Sequence, residues 1–316
     1  MPAPAVTVMG IFAADLSFRT ERLPVWGETV IGSHFHLGPG GKGSNQAVAA
    51  ARLGGAVRFI SKVGADPFGE LAQHIHREAG VQLDSLYVTP DHSTGAAAII
   101  VDQASGENAI VVTPGAANAL TPEDIDRARD AIARSGCFMT QLELSMPLVE
   151  HGLRLARSLG VPTILNPAPA CHCSDDFLQL CDYLTPNESE ASALTGMPVE
   201  TMAQIERAAA ALLRRGPRQV VITLGARGAF ALSADVAESV EAFRAGAVLD
   251  TTGAGDAFNG GFAIGLAEGM GLVEATRFGC AAAGISVTRQ GTATSMPARE
   301  EVDRLYRDYN TAAATK

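Results

Sequence analysis

From Pro122 onward, short apolar runs alternate with segments of helical composition, and this alternation constrains the fold more than any other feature. It predicts helix Pro122–Ser135, strand Cys137–Leu142, helix Pro147–Ser158, strand Pro162–Leu165, a short helix over Asp175–Leu180, strand Tyr183–Thr185 and helix Ser189–Leu194. Val220–Leu224 is almost purely apolar, as a parallel strand buried on both faces must be. A tight turn at Gly225-Ala226-Arg227-Gly228 leads into strand Ala229–Leu232, and the apolar stretch Ala247–Leu249 reads as a strand end before helices Ala257–Glu268 and Leu272–Arg289. Strands Val6–Phe12 and Arg58–Val63 and helix Pro67–Ala79 start the same pattern earlier. Strands alternating with helices predict an α/β fold with a mostly parallel sheet.

Two stretches break the rhythm. Thr94–Val101 and Asn108–Thr113 flank Ser105-Gly106-Glu107 as a hairpin would, and Thr29–Leu37 alternates weakly. These predict a small second sheet, a lid built from segments of about 13–37 and 94–115, set into one unit spanning 1–316. With no repeat, low-complexity tract or linker, nothing divides the chain further.

Composition narrows the partners. A formal charge of −10 with scattered Lys and Arg argues against nucleic acid and anionic membrane surfaces. No apolar run approaches the roughly 20 residues of a membrane span. Five cysteines, an odd number, suit a reducing compartment and hence the cytoplasm. Cys171-His172-Cys173 lacks a second ligand pair at zinc-like spacing and reads as ordinary loop residues.

Polar groups recur where strands of one sheet would end: Asp15, Asn45, Glu143, Asn166, Asn187, the turn Gly225–Gly228 and Asp256. Such ends share one edge in an open α/β sheet, the edge where ligands bind. Gly38-Pro39-Gly40-Gly41-Lys42-Gly43-Ser44-Asn45 leads into helix Gln46–Leu53 but fails the Walker pattern, because Gly follows Lys42. Its glycines suit either a backbone that approaches a small polar ligand or a purely structural loop. Asp250-Thr251-Thr252-Gly253-Ala254-Gly255-Asp256 opens a helix with small residues, so free backbone N–H groups could cradle an anion. A carboxylate beside such a cradle is productive if a phosphoryl group is transferred there and Asp256 takes the proton of the attacking hydroxyl. The same residues also suit a plain strand–helix turn. Asn187 and its neighbouring carboxylates suit ordinary partners of a helix dipole.

Gly40-Gly41-Lys42-Gly43-Ser44-Asn45-Gln46-Ala47 and Asp250–Asp256 resemble the two signatures of the ribokinase (PfkB-type) sugar kinases, in order and at matching separation. The likeness continues through Asn166-Pro167-Ala168-Pro169-Ala170, Thr185-Pro186-Asn187-Glu188 and Thr223-Leu224-Gly225. The resemblance implies a three-layer α/β/α sandwich with a β-sheet lid, and ATP-dependent phosphorylation of the 5-hydroxyl of D-ribose. Asp256 would be the base, and Gly253, Ala254 and Gly255 the anion hole. A proton lost late from the hydroxyl would not require a raised pKa at Asp256. Asp15, Gly41, Lys42, Gly43, Asn45 and Glu143 would hold the sugar. Asn187, Thr223, Leu224, Gly225, Ala226, Arg227, Gly228, Gly255 and Cys280 would line the nucleotide site, and Glu190 would hold Mg²⁺ through water. Asp250, Thr252, Ser286, Arg289, Gly291 and Ser295 match the site of an activating K⁺. The lid would pair with that of a second copy in a homodimer.

One departure bears on the substrate. Where the ribose-specific members carry Asn, this chain has Ala13, as 2-deoxyribose kinases have an apolar residue. Two alternatives therefore stand beside D-ribose: 2-deoxy-D-ribose or another sugar, and a non-catalytic sugar sensor on the same scaffold.

Overall fold

In the computed structural model, which describes residues 3–313, the apolar runs sort their side chains to opposite faces of one sheet. Met9 of the first strand packs on one side and Val6 and Val8 on the other; Phe138 opposes Cys137 and Met139, and Ile222 opposes Val221. Period-two alternation between two buried faces requires a helical layer over each.

The strands are β1 Ala5–Met9, β2 Ala13–Thr20, β3 His34–Gly40, β4 Ala56–Gly64, β5 Leu86–Thr89, β6 Thr94–Asp102, β7 Asn108–Gly115, β8 Cys137–Thr140, β9 Thr163–Leu165, β10 Tyr183–Leu184, β11 Gln219–Thr223, β12 Ala229–Leu232 and β13 Ala237–Val240. The helices are α1 Lys42–Arg52, α2 Pro67–Glu78, α3 Pro122–Arg127, α4 Arg129–Ala133, α5 Met146–Ser158, α6 Asp175–Leu178, α7 Glu188–Thr195, α8 Met202–Arg214, α9 Ala254–Ala267, α10 Leu272–Ser286 and α11 Arg299–Ala313. The large sheet runs β13-β12-β11-β10-β9-β8-β1-β4-β5. It is parallel from β5 to β11, and β12 and β13 are antiparallel. Residues of α3, α5 and α8 fill one apolar cluster, and residues of α1, α9 and α10 fill the other. Strand β1 lies between β8 and β4, so the chain leaves it in one direction and later returns on its other side. That reversal opens a crevice at the carboxyl ends of these strands.

The second sheet has the order β3-β2-β6-β7. Its β6–β7 hairpin agrees with the sequence reading, with Val101 opposite Asn108. Its other half differs. The run Val6–Phe12 ends as a strand at Met9, and Ala13–Thr20 forms a new strand that pairs parallel with β6 and antiparallel with β3. Asp15 therefore lies within β2 and not in a turn after β1. The strand expected over Thr29–Leu37 begins only at His34.

Other boundaries also shift. The expected strand end Ala247–Leu249 is not a strand; the amides of Leu249 and Asp250 donate to Val287 O beyond α10, which leaves no ladder for the segment to join. Pro122–Ser135 divides into α3 and α4 at Ala128. Helix α1 begins at Lys42 and α9 at Ala254, so both motifs enter the first turns of their helices. Five elements were not foreseen: β2, β5, β13, α8 and α11. Among the described residues no helix is long and apolar enough to cross a membrane.

Candidate active site

Helix α9 follows Gly253, whose φ of 78° places it in the left-handed region that glycine adopts freely. No side chain caps this terminus; the Ala254 amide donates to Thr251 O at 3.2 Å, and the Gly255 amide is left without a side-chain partner beside Asp256 in the first turn. Asp256 is 7% exposed. Helix α1 faces it. Asn45 Nδ2 donates to Asp256 Oδ2 at 3.0 Å, and Gln46 Nε2 donates to Oδ1 at 3.0 Å. Helix α1 reaches this position because Gly41, at φ 87°, turns the chain out of β3 with no room for a Cβ, which would lie 2.5 Å from Ile11 O.

A cavity of about 160 Å³ opens in front of Asp256. It is lined by Lys42, Asn166, Thr185, Asn187, Glu190, Thr223, Gly253, Gly255 and Asn259, among others. Glu143 reaches in from the loop after β8, where its Oε2 accepts from the Lys42 amide at 2.8 Å. Glu143 after β8 and Asn187 after β10 thus meet Asn45 of α1 and Asp256 of α9 at one rim, together with Thr223. Asn45 and Asp256, expected at strand ends, come instead from helix starts that follow a small-sheet strand and a non-strand segment. Asp15 joins them electrostatically from β2 of the small sheet.

The carboxylates crowd one another. Burial and the nearby Asp256 push Asp15 up to about 6. Burial pushes Glu143 up to about 7, against the pull of Lys42 and its amide. Asp256 is also raised, chiefly by burial, although Lys42 and the amides of Gln46 and Asn45 favour its charged form. Burial works against the Lys42 ammonium, but Asp256, Glu143 and Glu190 outweigh it and its pKa rises. A buried cation beside a buried acid, at a helix N-terminus with free donors, suits proton acceptance next to a developing anion.

Residues 3–299 match the pfkB family of carbohydrate kinases. The chain belongs to that family. A ribokinase of Haemophilus influenzae is 40% identical over 296 residues, covering 94% of this chain and 96% of that protein. A deoxyribokinase of Salmonella typhi is 38% identical over 297 residues, with the same two shares of 94% and 96%. The structure of Arabidopsis thaliana ribokinase complexed with ribose and ATP matches with a TM-score of 0.91 at 33% identity, over 96% of this chain and 99% of that one. The fold is therefore the ribokinase-like α/β fold with a smaller separate sheet, and the protein is a carbohydrate kinase.

Within this PfkB kinase the remaining expected site residues fall into two groups. Asn187 caps α7: its Oδ1 accepts from the Glu190 amide at 2.8 Å, while the Glu190 carboxylate accepts from the Asn187 amide at 2.9 Å. This capping box holds Glu190 at the cavity wall, where burial raises its pKa. Thr223 pairs with Asn187 across a single bridge, so the end of β11 and the start of α7 are fixed together. Leu224, Gly225, Ala226 and Gly228 form the turn after β11. The Arg227 side chain turns onto Glu188 and onto Glu200 O. Cys280 is buried in α10 among apolar neighbours and is not among the residues lining the cavity.

The second group lies behind the α9 terminus. The Asp250 carboxylate accepts from the amides of Thr252 at 2.9 Å and Gly291 at 3.0 Å, which ties the motif to the loop after α10. Ser286 and Ser295 direct their hydroxyls at backbone carbonyls, and Arg289 pairs with Glu301, away from Asp250. Among the described residues no three His, Cys, Asp or Glu side chains converge as a metal cage, Cys171, His172 and Cys173 included.

Four contributors escaped the sequence reading. Gln46 and Gln141 sit under Asp256, and Asn259 and Thr185 hydrogen-bond each other at 2.6 Å in the cavity wall. Gln46 stands inside the first signature, and that was its only sequence signal. Thr185 likewise stood inside the stretch Thr185-Pro186-Asn187-Glu188, whereas Gln141 and Asn259 carry no spacing cue, because their role depends on which elements become neighbours.

Proposed function

We propose that this carbohydrate kinase transfers the γ-phosphoryl group of ATP to the 5-hydroxyl of D-ribose, with Asp256 as the base. The observation that carries the reading is the buried Asp256 carboxylate in the first turn of α9, between uncapped backbone N–H groups and the Lys42 cation. Asn45 and Gln46 hold its two oxygens in a fixed plane. In the reaction the sugar hydroxyl attacks the γ-phosphorus in line, the O–P bond to ADP breaks, and the hydroxyl proton passes to Asp256. The N–H groups of Gly253 and Gly255 face the charge that develops on the transferred group, and the Ala254 N–H, which donates to Thr251 O at 3.2 Å, would turn to it as well. Gly41, Gly43, Asn45, Asp15 and Glu143 surround the hydroxyls of the sugar. Thr223 and the turn Gly225–Gly228 carry the nucleotide.

The donors fit the two cations that the family resemblance implies. Glu190, one buried carboxylate at the cavity wall, suits Mg²⁺, which keeps most of its waters and binds few protein ligands. Asp250 and the backbone carbonyls of Thr252, Ser286, Arg289, Gly291 and Ser295 would supply an all-oxygen set of the kind K⁺ takes. When bound, Mg²⁺ would neutralise phosphate charge and K⁺ would reinforce the positive end of α9. The free cysteines fit a cytoplasmic setting, and exposed apolar residues on the small sheet fit pairing with a second copy.

A second reading, 2-deoxy-D-ribose as the better substrate, is favoured by Ala13, which sits 2% exposed at the start of β2 beside Gly40 and Gly95. ADP release with Mg-ATP and K⁺ across D-ribose, 2-deoxy-D-ribose, D-fructose and adenosine tests both. The highest kcat/KM should fall on ribose, with turnover lost in Asp256→Asn while both ligands still bind. Undiminished turnover in that variant would remove Asp256 as base, and a wild-type protein that binds sugar without turning it over would be a sensor.

A further inference from the structure

Glutamine side chains are seldom fully buried. This protein buries two of them under its candidate base: Gln46 at 0% exposure and Gln141 at 1%. We propose that Gln46 and Gln141 form a buried amide relay that orients the Asp256 carboxylate, Gln46 acting on it directly and Gln141 acting through Gln46. Both are positioning residues, and the inference rests on Asp256 being the base.

The hydrogen-bond directions leave one arrangement. An ionised carboxylate only accepts, so the group 3.0 Å from Asp256 Oδ1 must be the Gln46 amide nitrogen. Its second hydrogen goes to Asn166 Oδ1 at 3.1 Å, and Asn166 is itself oriented by donating to Thr185 O at 3.0 Å. The Gln46 carbonyl oxygen is then turned away from the acid and must be met by a donor. Gln141 Nε2 supplies it at 2.5 Å. That choice forces Gln141 Oε1 the other way, into a slot between Gly10 and Gly43, where a Cβ on Gly43 would lie only 2.9 Å from it.

In that slot Gln141 Oε1 is buried and has no partner. An orphaned buried acceptor disfavours the folded state and calls for an explanation. Packing alone does not supply one, because an apolar side chain of the same size would fill the space and remove this orphan while leaving Gln46 Oε1 unmet. The relay does: the orphan is what remains when Gln141 turns its amide to Gln46 so that Gln46 can donate to Asp256. The Gln46 hydrogen bond also favours the charged form of the acid.

The test is the pH profile of kcat/KM for the sugar at saturating Mg-ATP, with thermal midpoints, for Gln46→Met and Gln141→Met beside Asp256→Asn. Gln46→Met should lower kcat by about tenfold to a hundredfold, the scale of a misoriented catalytic group, with KM changed less than about threefold. Without that donor the acid is harder to ionise, so the acid limb should move to higher pH. Gln141→Met should move both readouts the same way by less, with a thermal midpoint close to wild type, because it removes the orphan at Gln141 Oε1 and leaves another at Gln46 Oε1. Wild-type kcat and an unmoved acid limb in the folded variants would overturn the relay. If Gln46→Met does not fold, Gln141→Met decides, since it leaves Asp256's own partners in place. Retained turnover in Asp256→Asn would instead sink the base assignment, so the two failures are distinct.

Discussion

At the scale of single residues, the site is a compromise between charge and burial. Glu143 is held at about 7 because burial disfavours its charge more than Lys42 restores it. The folded state therefore binds this proton more tightly than the unfolded chain, whose glutamate titrates near the ordinary 4.5. The contribution to stability is present below 4.5 and is lost as pH rises through about 7. Glu143→Gln should raise Tm by a few degrees at pH 8, a gain that vanishes by pH 4.5, and it should weaken sugar binding. An identical Tm difference at both pH values would show that the side chain acts through packing and not through charge. Ala13 is the other informative residue. Beside Gly40 it offers no hydrogen bond, and one such bond is worth about 0.5–1.5 kcal/mol. Ala13→Asn should thus raise the ribose to 2-deoxyribose ratio of kcat/KM by roughly twofold to tenfold; an unchanged ratio would take Ala13 out of the specificity argument.

At the scale of elements, the first turn of α9 separates function from stability. A Cβ added at Gly255 meets nothing within 4 Å, because the position faces the open cavity. Alanine in a helix is favoured over glycine by roughly 0.5–1 kcal/mol. Gly255→Ala should therefore keep or raise Tm while kcat falls at least tenfold, since its methyl group occupies the space meant for the transferring group. Unaltered kcat would show that the phosphoryl group does not pass there. Gly253→Ala should lose both, because φ is 78° and its Cβ would press on Thr292 Cα at 3.2 Å. Elements also mark where local reading succeeds. The β6–β7 hairpin and α2 were visible because a turn and a cap advertise them: Ser105-Gly106-Glu107 for one, and Asp66 accepting from the Gly69 amide ahead of Pro67 for the other. Ala247–Leu249 is as apolar as a strand but finds no neighbouring ladder.

At the scale of the molecule, the small sheet is unfinished. Phe35, Ile110 and Val111 are 51%, 53% and 71% exposed, and Trp26 and Ile31 in the loop before β3 are fully or nearly so. Exposed apolar residues on both edge strands, β3 and β7, are open to self-association. On the proposed pairing of two lids, Val111→Glu on the edge strand β7 should lower the sedimentation coefficient from that of a dimer to that of a monomer at micromolar concentration. An unchanged sedimentation coefficient would exclude β7 from the contact.

The sequence alone determined the α/β class, the lid hairpin, both glycine-rich signatures and the convergence of Asn45, Glu143, Asn187 and Asp256. The class and the hairpin follow from local periodicity, the meeting of Glu143 and Asn187 from the rule that strand ends share an edge, and the placing of Asn45 and Asp256 from the resemblance of the two signatures to those of the family. Only the tertiary structure decided that Asp15 stands in a lid strand, that Cys280 lies in the core, and that Gln46 and Gln141 hold the acid. Those facts depend on contacts between residues as far apart in the chain as Gln46 and Asp256, and no local pattern encodes which distant side chain will complete a hydrogen bond.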